Sequence, residues 1–318
     1  PFAERYVGEQ QLKDLSQSLN RLNRGIFRLV VMGEIKKGKS SLINALLNEQ
    51  DLLPTDSDIA TSTVFKILYG PEKRCKVFFY DELDTGDRLP PKSVDADELM
   101  EYGTEKGNPG NEKRVEFISI ELPNPMLQSG LVIVDTPGVG GLYKEHREIT
   151  WRYAPNADAI LFVVDSVDSV ISSDEILFLK ELTSKFTRKI VFVQTKIDNA
   201  SEELWRAWEV RNKGILQSEL GLDATKLLYF PVSAKIKSFA DEEQDLEELI
   251  DSGFPSLMHF LTKTLIPVKA KTLAAKTASH LRHISQKIQH ELDLELALAC
   301  ETTSSQLRQI ETQRRDAI

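Results

Sequence analysis

The chain has 318 residues, 41% of them hydrophobic, and a formal net charge of −9. Its length allows one large domain with an accessory segment, or two domains of ordinary size, and its composition supports a sizeable core. The acidic balance argues against general nucleic-acid binding, which relies on clustered Lys and Arg, and disfavours anionic membrane for this surface.

Leu12, Leu15, Leu19, Leu22 and Ile26 recur at steps of three and four, which predicts an amphipathic helix over residues 4–24. From Ile26 the pattern changes to short apolar runs that predict strands at 26–32, 76–80, 115–122, 131–134, 159–164, 189–193 and 227–232. Helical spacing between several of these, beginning at 41–47, predicts βαβ units and a mostly parallel, twisted sheet covered on both faces. Residues 81–113 are polar, contain Pro90 and Pro91, and read as an excursion with one helical turn near 97–102. Beyond Pro267, Leu281, Ile284, Ile288, Leu292, Leu296, Ala299, Thr303, Leu307 and Ile310 keep helical spacing with no Gly or Pro, which predicts one long helix. Most helical stability comes from packing an apolar face, so the N-terminal helix is its expected partner. The predicted division is 1–25, 26–266 and 267–318.

The two cysteines, Cys75 and Cys300, are far apart and form no metal-ligand spacing, which points to a reduced, cytoplasmic protein. No apolar run reaches the roughly 18–20 residues that span a bilayer, and the first residues show no signal-peptide pattern.

Gly33-Glu34-Ile35-Lys36-Lys37-Gly38-Lys39-Ser40 matches G-x-x-x-x-G-K-[ST] and lies between a predicted strand and a predicted helix. Such a loop cradles phosphates. Gly33 and Gly38 permit backbone angles that turn successive N–H groups inward, and the helix N-terminus adds positive potential. Lys39 would reach the β- and γ-phosphates, the Ser40 hydroxyl would bind Mg²⁺, and Glu34, Lys37 and Ser41 belong to the same cradle.

Three further motifs follow predicted strands. In Asp135-Thr136-Pro137-Gly138, Asp135 would meet the Mg²⁺ shell and the Gly138 N–H the γ-phosphate, while Gly138, Gly140 and Gly141 suit a loop ordered by that phosphate and released after hydrolysis. In Thr195-Lys196-Ile197-Asp198, Asp198 would accept hydrogen bonds from guanine N1–H and its amino group, with the Lys196 stem along the ring. Adenine would leave that carboxylate unpaired, and such complementarity discriminates by roughly 10⁴ or more. In Ser233-Ala234-Lys235 a backbone N–H would reach guanine O6. Each of these three is an ordinary surface pattern alone. As an ordered set with the phosphate loop they fall on one edge of a parallel sheet, where ligands of such folds bind.

The set GxxxxGKS, DTPG, TKxD and SAK resembles a translation-factor-type GTP-binding domain. Residues 33–47 (GEIKKGKSSLINALL), 52–64 (LLPTDSDIATSTV) running into Leu68-Tyr69-Gly70, and 152–165 (RYAPNADAILFVVD) are similar to bacterial dynamin-like GTPases. The likeness covers about residues 27–265. It implies an α/β P-loop GTPase domain flanked by N- and C-terminal neck helices, GTP and GDP as ligands with Mg²⁺, and hydrolysis to GDP and phosphate. By position, Thr61 would be the switch threonine that helps bind Mg²⁺ and the attacking water, with Thr63 the alternative. No glutamine follows Gly138 to orient water, as in dynamins. Lys36 occupies the place of a serine that helps animal-type dynamins hold a catalytic monovalent cation. It either supplies that positive charge itself or is simply solvated.

The resemblance also implies face-to-face dimerisation of two such domains across the nucleotide and membrane remodelling by the intact protein, at the inner face of a membrane. A chain that starts without Met and stops within a helical pattern at Ile318 reads as part of a longer one, and any membrane-binding tip is expected beyond 318. The alternatives are a regulatory GTPase acting on RNA, ribosome or protein partners, and a nucleotide-binding scaffold without hydrolysis. His146, Arg147, Trp151 and Arg152 are candidate partner contacts or plain packing, and Trp205 and Trp208 read as packing.

Overall fold

The structure, a computed structural model, describes Ser16 and residues 25–55, 61–80, 90–95, 98–138, 151–167, 171–185 and 189–316. The chain divides into two compact units, Ile26–Pro267 and Pro1–Gly25 with Val268–Ile318. The helix predicted over 4–24 lies outside the described residues, Ser16 excepted.

In the larger unit the apolar runs become strands of one nine-stranded sheet: β1 Phe27–Met32, β2 Phe65–Tyr69, β3 Arg74–Phe79, β4 Lys92–Val94, β5 Val115–Leu122, β6 Leu131–Asp135, β7 Ala159–Asp165, β8 Lys189–Thr195 and β9 Tyr229–Pro231. The helices are α1 Lys39–Leu47, α2 Leu99–Gly103, α3 Pro125–Gln128, α4 Ser173–Lys185, α5 Glu202–Leu220, α6 Ala234–Glu243, α7 Leu246–Asp251 and α8 Phe254–His259. A further helix, α9 Ile266–Asp316, carries the described residues of the second unit from Val268 onward.

The strand order is β4-β3-β5-β2-β6-β1-β7-β8-β9. From β6 to β9 every pairing is parallel. On the other side β2 runs parallel to β5 but antiparallel to β6, and β3 is antiparallel to both its neighbours. Thus the sheet is mixed but mostly parallel.

Two strands, β2 and β4, are absent from the apolar pattern. In β2, Phe65 and Ile67 are fully buried while Lys66 and Leu68 are half-buried, so Lys66 breaks the run that would have marked it. β4 is three residues, Lys92-Ser93-Val94, and exists through its pairing with β3. β7 and β8 both extend beyond the apolar run, to Asp165 and Thr195. β9 is shorter than predicted, and Pro231, which cannot donate to a ladder, sits at this edge strand. The predicted turn at 97–102 is realised in α2.

Alternation along β1 builds three layers. Leu29 and Val31 join Leu42, Ile43, Leu46 and Leu47 of α1 in one core, while Val30 and Met32 join Leu179 and Leu182 of α4 and Leu216 of α5 in the other. A fully buried Phe, such as Phe65, Phe162 or Phe192, stabilises the fold by about 1.5–3 kcal/mol.

α1 matters most for function, since it begins at the phosphate loop. It ends at Asn48, whose left-handed conformation (φ 54°) closes the helix. One turn earlier, the buried Asn44 clamps the following loop. Its Nδ2 donates to the Leu53 carbonyl and its Oδ1 accepts from the Leu53 N–H, both at 3.0 Å. Replacing Asn44 with Ala would strand both Leu53 groups in the core, at about 1–3 kcal/mol each. The expected result is a lower urea midpoint at unchanged slope, and an unchanged midpoint would show the clamp to be dispensable.

Candidate functional site

Between β1 and α1 the backbone departs from regular angles: Gly33 has φ 148°, Lys36 φ 66° and Gly38 φ 83°. A Cβ on Gly33 would lie 2.4 Å from the Val163 carbonyl oxygen of β7, so the residue must be glycine for two reasons. Lys39 opens α1 and is buried. Its ammonium donates to the carbonyls of Gly33 at 3.0 Å and Glu34 at 2.7 Å. Burial pushes Lys39 down to about 8, against the opposite pull of Asp135, Glu175 and Glu34.

Parallel pairing of β1 with β6 sets Val31 beside Asp135, at the end of its strand. There the Ser40 hydroxyl donates to Asp135 Oδ2 at 3.2 Å. Asp135 is fully buried, and its Oδ1 has no hydrogen-bond partner among the described residues. Burial pushes its carboxyl up to about 6, opposed by Lys39 and Ser40. A hydroxyl and a carboxylate with an unspent oxygen form an oxygen-only donor set that suits a small hard cation. Thr136 donates to the Val31 carbonyl at 2.9 Å and fastens this strand end to β1. At Gly138 a Cβ would come within 2.5 Å of the Ile35 backbone nitrogen, so only glycine lets this loop approach the phosphate loop so closely.

The other flank of the phosphate loop is built at the ends of β8 and β9. Thr195 Oγ1 lies 2.6 Å from the Lys37 carbonyl, and the Lys196 ammonium donates to the Lys36 carbonyl at 2.6 Å. Asp198 Oδ1 accepts from the Ser233 hydroxyl at 2.6 Å. That hydroxyl also caps α6 by accepting from the Ile236 N–H at 3.0 Å. The Ser233 N–H is spent on the Ser252 carbonyl. The first-turn N–H groups of Ala234 and Lys235 have no intrahelical acceptor, so they, rather than Ser233, are the donors at this strand end. Gly38, Ser41, Thr195, Lys196, Asp198 and Lys235 help to line a cavity of about 130 Å³.

The structure therefore gathers the loop 33–41, Asp135, Gly138, residues 195–198 and residues 233–235 at one sheet edge. Thr61 is different. It forms an isolated antiparallel bridge with Thr104, and no described hydrogen bond links it to the phosphate loop. Thr63 is buried with its hydroxyl 3.5 Å from the Val115 carbonyl. Lys36 is exposed, and its backbone carbonyl rather than its side chain holds Lys196. Trp151 packs on Phe178 and Arg152 donates to the Tyr80 hydroxyl, while Gly140, Gly141, His146 and Arg147 lie outside the described residues. Trp205 is half-buried, with its carbonyl accepting from Gln194.

Two carboxylates at the site escaped the sequence reading. Asp165, at the end of β7, faces Lys37 and Lys196. Its signal was an acidic residue closing a buried strand, the same position type as Asp135. Glu175 forms a reciprocal capping box with Ser172 at the start of α4. Its Oε2 accepts from the Ser172 N–H at 2.9 Å, and its own N–H donates to the Ser172 hydroxyl at 3.1 Å. The same hydroxyl donates to Glu34 Oε1 at 2.9 Å, tying the helix start to the phosphate loop. The S-x-x-E spacing of 172–175 was legible as a helix start.

A phosphate loop, a strand-end carboxylate facing its serine, and a Thr-Lys-Ile-Asp loop two strands away define a P-loop GTPase fold. The family model described as Dynamin family matches residues 29–197, more than half of the chain. The chain belongs to the dynamin family. It is 36% identical over 234 residues to a protein of Caldicellulosiruptor sp. (strain Rt8B.4) named "Uncharacterized protein in xynA 3'region", which covers 72% of this chain and 54% of that one. It is 34% identical over 161 residues to the bacterial dynamin-like protein of Nostoc punctiforme, covering 49% of this chain and 23% of that one. A solved structure of an oligomerised bacterial dynamin pair, described as providing long-range sensing and tethering of membranes, shares the fold at a TM-score of 0.64 and 20% identity. That match covers 99% of this chain and 58% of the other. The chain thus spans about half or less of the length of these relatives.

Glu175 supplies a test of the site's electrostatics. Burial raises its carboxyl to about 7, with Glu34 adding to the rise and Ser172 and Lys37 opposing it. Between its unfolded value near 4.5 and about 7 the folded state holds a proton that the unfolded chain has released, so this group's contribution to stability weakens as pH rises. Glu175→Gln does not titrate there. Its melting temperature relative to wild type is expected to climb from about pH 5 to about pH 8, and a pH-independent difference would refute the shift.

Proposed function

We propose that this segment is the GTP-hydrolysing part of a larger dynamin-like protein, with Asp198 selecting guanine and residues 33–41 holding the phosphates. The observation that carries this is the cavity of about 130 Å³ that brings Asp198, Lys196 and Lys235 to the flank of the phosphate loop at Gly38 and Ser41. The Ser233 hydroxyl orients one oxygen of Asp198, which leaves the other for the base. Lys39 would exchange the Gly33 and Glu34 carbonyls for the β- and γ-phosphates, a swap that restores full charge to an ammonium lowered by burial. Ser40 and Asp135 would hold Mg²⁺, with Thr61 joining them once the nucleotide is bound. The bound cation would neutralise charge developing on the β–γ bridge. Lys36, one residue from the buried loop lysine and exposed, is the available group to add positive charge there in place of a monovalent cation.

The same reading extends to the whole molecule: residues 26–266 as the GTPase domain, 1–25 and 267–318 as neck helices, and a cytoplasmic protein attached to the inner face of a membrane by parts outside this segment. Support comes from the dynamin relatives and from the solved bacterial dynamin pair, described as sensing and tethering membranes at long range. No helix among the described residues is long and apolar enough to cross a membrane. Pairing of two GTPase domains across the nucleotide would complete the site.

Two measurements test the proposal. Asp198→Asn is expected to weaken GTP binding by about a hundredfold or more while sparing xanthosine triphosphate, whose 2-oxo group needs a donor rather than a carboxylate. Equal losses would end the base assignment. Phosphate release per molecule is expected to rise with protein concentration, and a flat specific activity would remove dimer-completed catalysis.

A further inference from the structure

Asp165 closes β7, the strand between β1 and β8, and its side chain is 2% exposed. Its Oδ1 lies 3.3 Å from the ammonium of the buried Lys37, and its Oδ2 accepts from the Lys196 ammonium at 2.9 Å. Lys196 donates as well to the Lys36 carbonyl at 2.6 Å, and Thr195 Oγ1 lies 2.6 Å from the Lys37 carbonyl. Two consecutive residues of the phosphate loop are thereby tied to two consecutive residues of the 195–198 loop, with one carboxylate from the intervening strand bonded to both sides. The tie has backbone work to do. Lys36 and Lys196 hold φ of 66° and 58°, left-handed angles that residues with a side chain adopt uncommonly.

We propose that Asp165 is a positioning residue that locks Lys37 and Lys196 in one register, so that guanine recognition and the grip on the phosphates are made by a single rigid unit. The base half rests on the assignment of residues 196–198 as the guanine-reading loop; the phosphate half does not. An asparagine at 165 keeps the shape and one acceptor oxygen, but it loses the charge that both ammonium groups face. Lys196 is 32% exposed and free to turn to solvent, whereas Lys37 is not.

The test is a mutant cycle on full-chain protein read by equilibrium binding of fluorescent GDP and ADP. Asp165→Asn is expected to bind GDP about tenfold more weakly and to lose part of the preference for GDP over ADP, a ratio that general destabilisation would not move. In a Lys196→Met or Lys37→Met background the same change should cost less than about threefold, because one of the two contacts that hold the register is already broken. Wild-type GDP affinity in Asp165→Asn, or losses that simply multiply across the cycle, would overturn the proposal. Should Asp165→Asn fail to fold, Asp165→Asn with Lys37→Met removes charge and counter-charge together, and that background carries the Lys196→Met comparison. If Asp198→Asn keeps its guanine preference, the base-reading assignment fails. Non-additivity between Asp165→Asn and Lys37→Met in GDP affinity then still decides the phosphate half.

Discussion

The backbone of residues 33–38 departs from regular angles, with φ positive at Gly33, Lys36 and Gly38. Everything around it serves as bracing. The Val163 carbonyl of β7 closes on Gly33, Gly138 of the loop after β6 closes on Ile35, and Thr195 and Lys196 at the end of β8 grip the Lys37 and Lys36 carbonyls. Three strand ends thus hold one loop, and they do so because β6, β1, β7 and β8 are parallel neighbours. A parallel sheet delivers all its strand ends to the same edge, which explains why such an edge accumulates ligand sites.

That bracing places charges where water cannot relax them. Lys39 sits low at about 8, Asp135 high at about 6 and Glu175 high at about 7, in each case chiefly through burial. Asp165 between Lys37 and Lys196 belongs to the same cluster. Buried ion pairs are poor sources of stability, since desolvation consumes much of what attraction returns. What they supply is direction. A dry, preoriented set of charges acts on a phosphate chain far more strongly than the same groups in water, and costs no reorganisation when the ligand arrives. The cores on either face of the sheet carry the stability that this edge does not.

Much of the fold was legible because its strands are contiguous apolar runs and a buried parallel strand needs no alternation. β2 and β4 were not, for the same reason in reverse. A strand that alternates around Lys66, or one of three residues, has too little apolar character to declare itself and depends on its neighbour for pairing. The apolar criterion also trimmed Asp165 and Thr195 from β7 and β8, and these are the residues that reach the phosphate loop.

What the sequence determined by itself is local. Eight contiguous residues specify the phosphate loop, and strand-end motifs mark Asp135, Asp198 and Ser233, because spacing within a turn is set by covalent geometry. Only the tertiary structure decided the partners: the Ser233 hydroxyl on Asp198, the Ser172 hydroxyl on Glu34, and Asp165 between two lysines. Those pairs lie 35, 138, 128 and 31 positions apart in the chain. Nothing in their spacing brings them together. The register of parallel strands does, and register comes from packing both sheet faces against helices, which is a property of the whole domain.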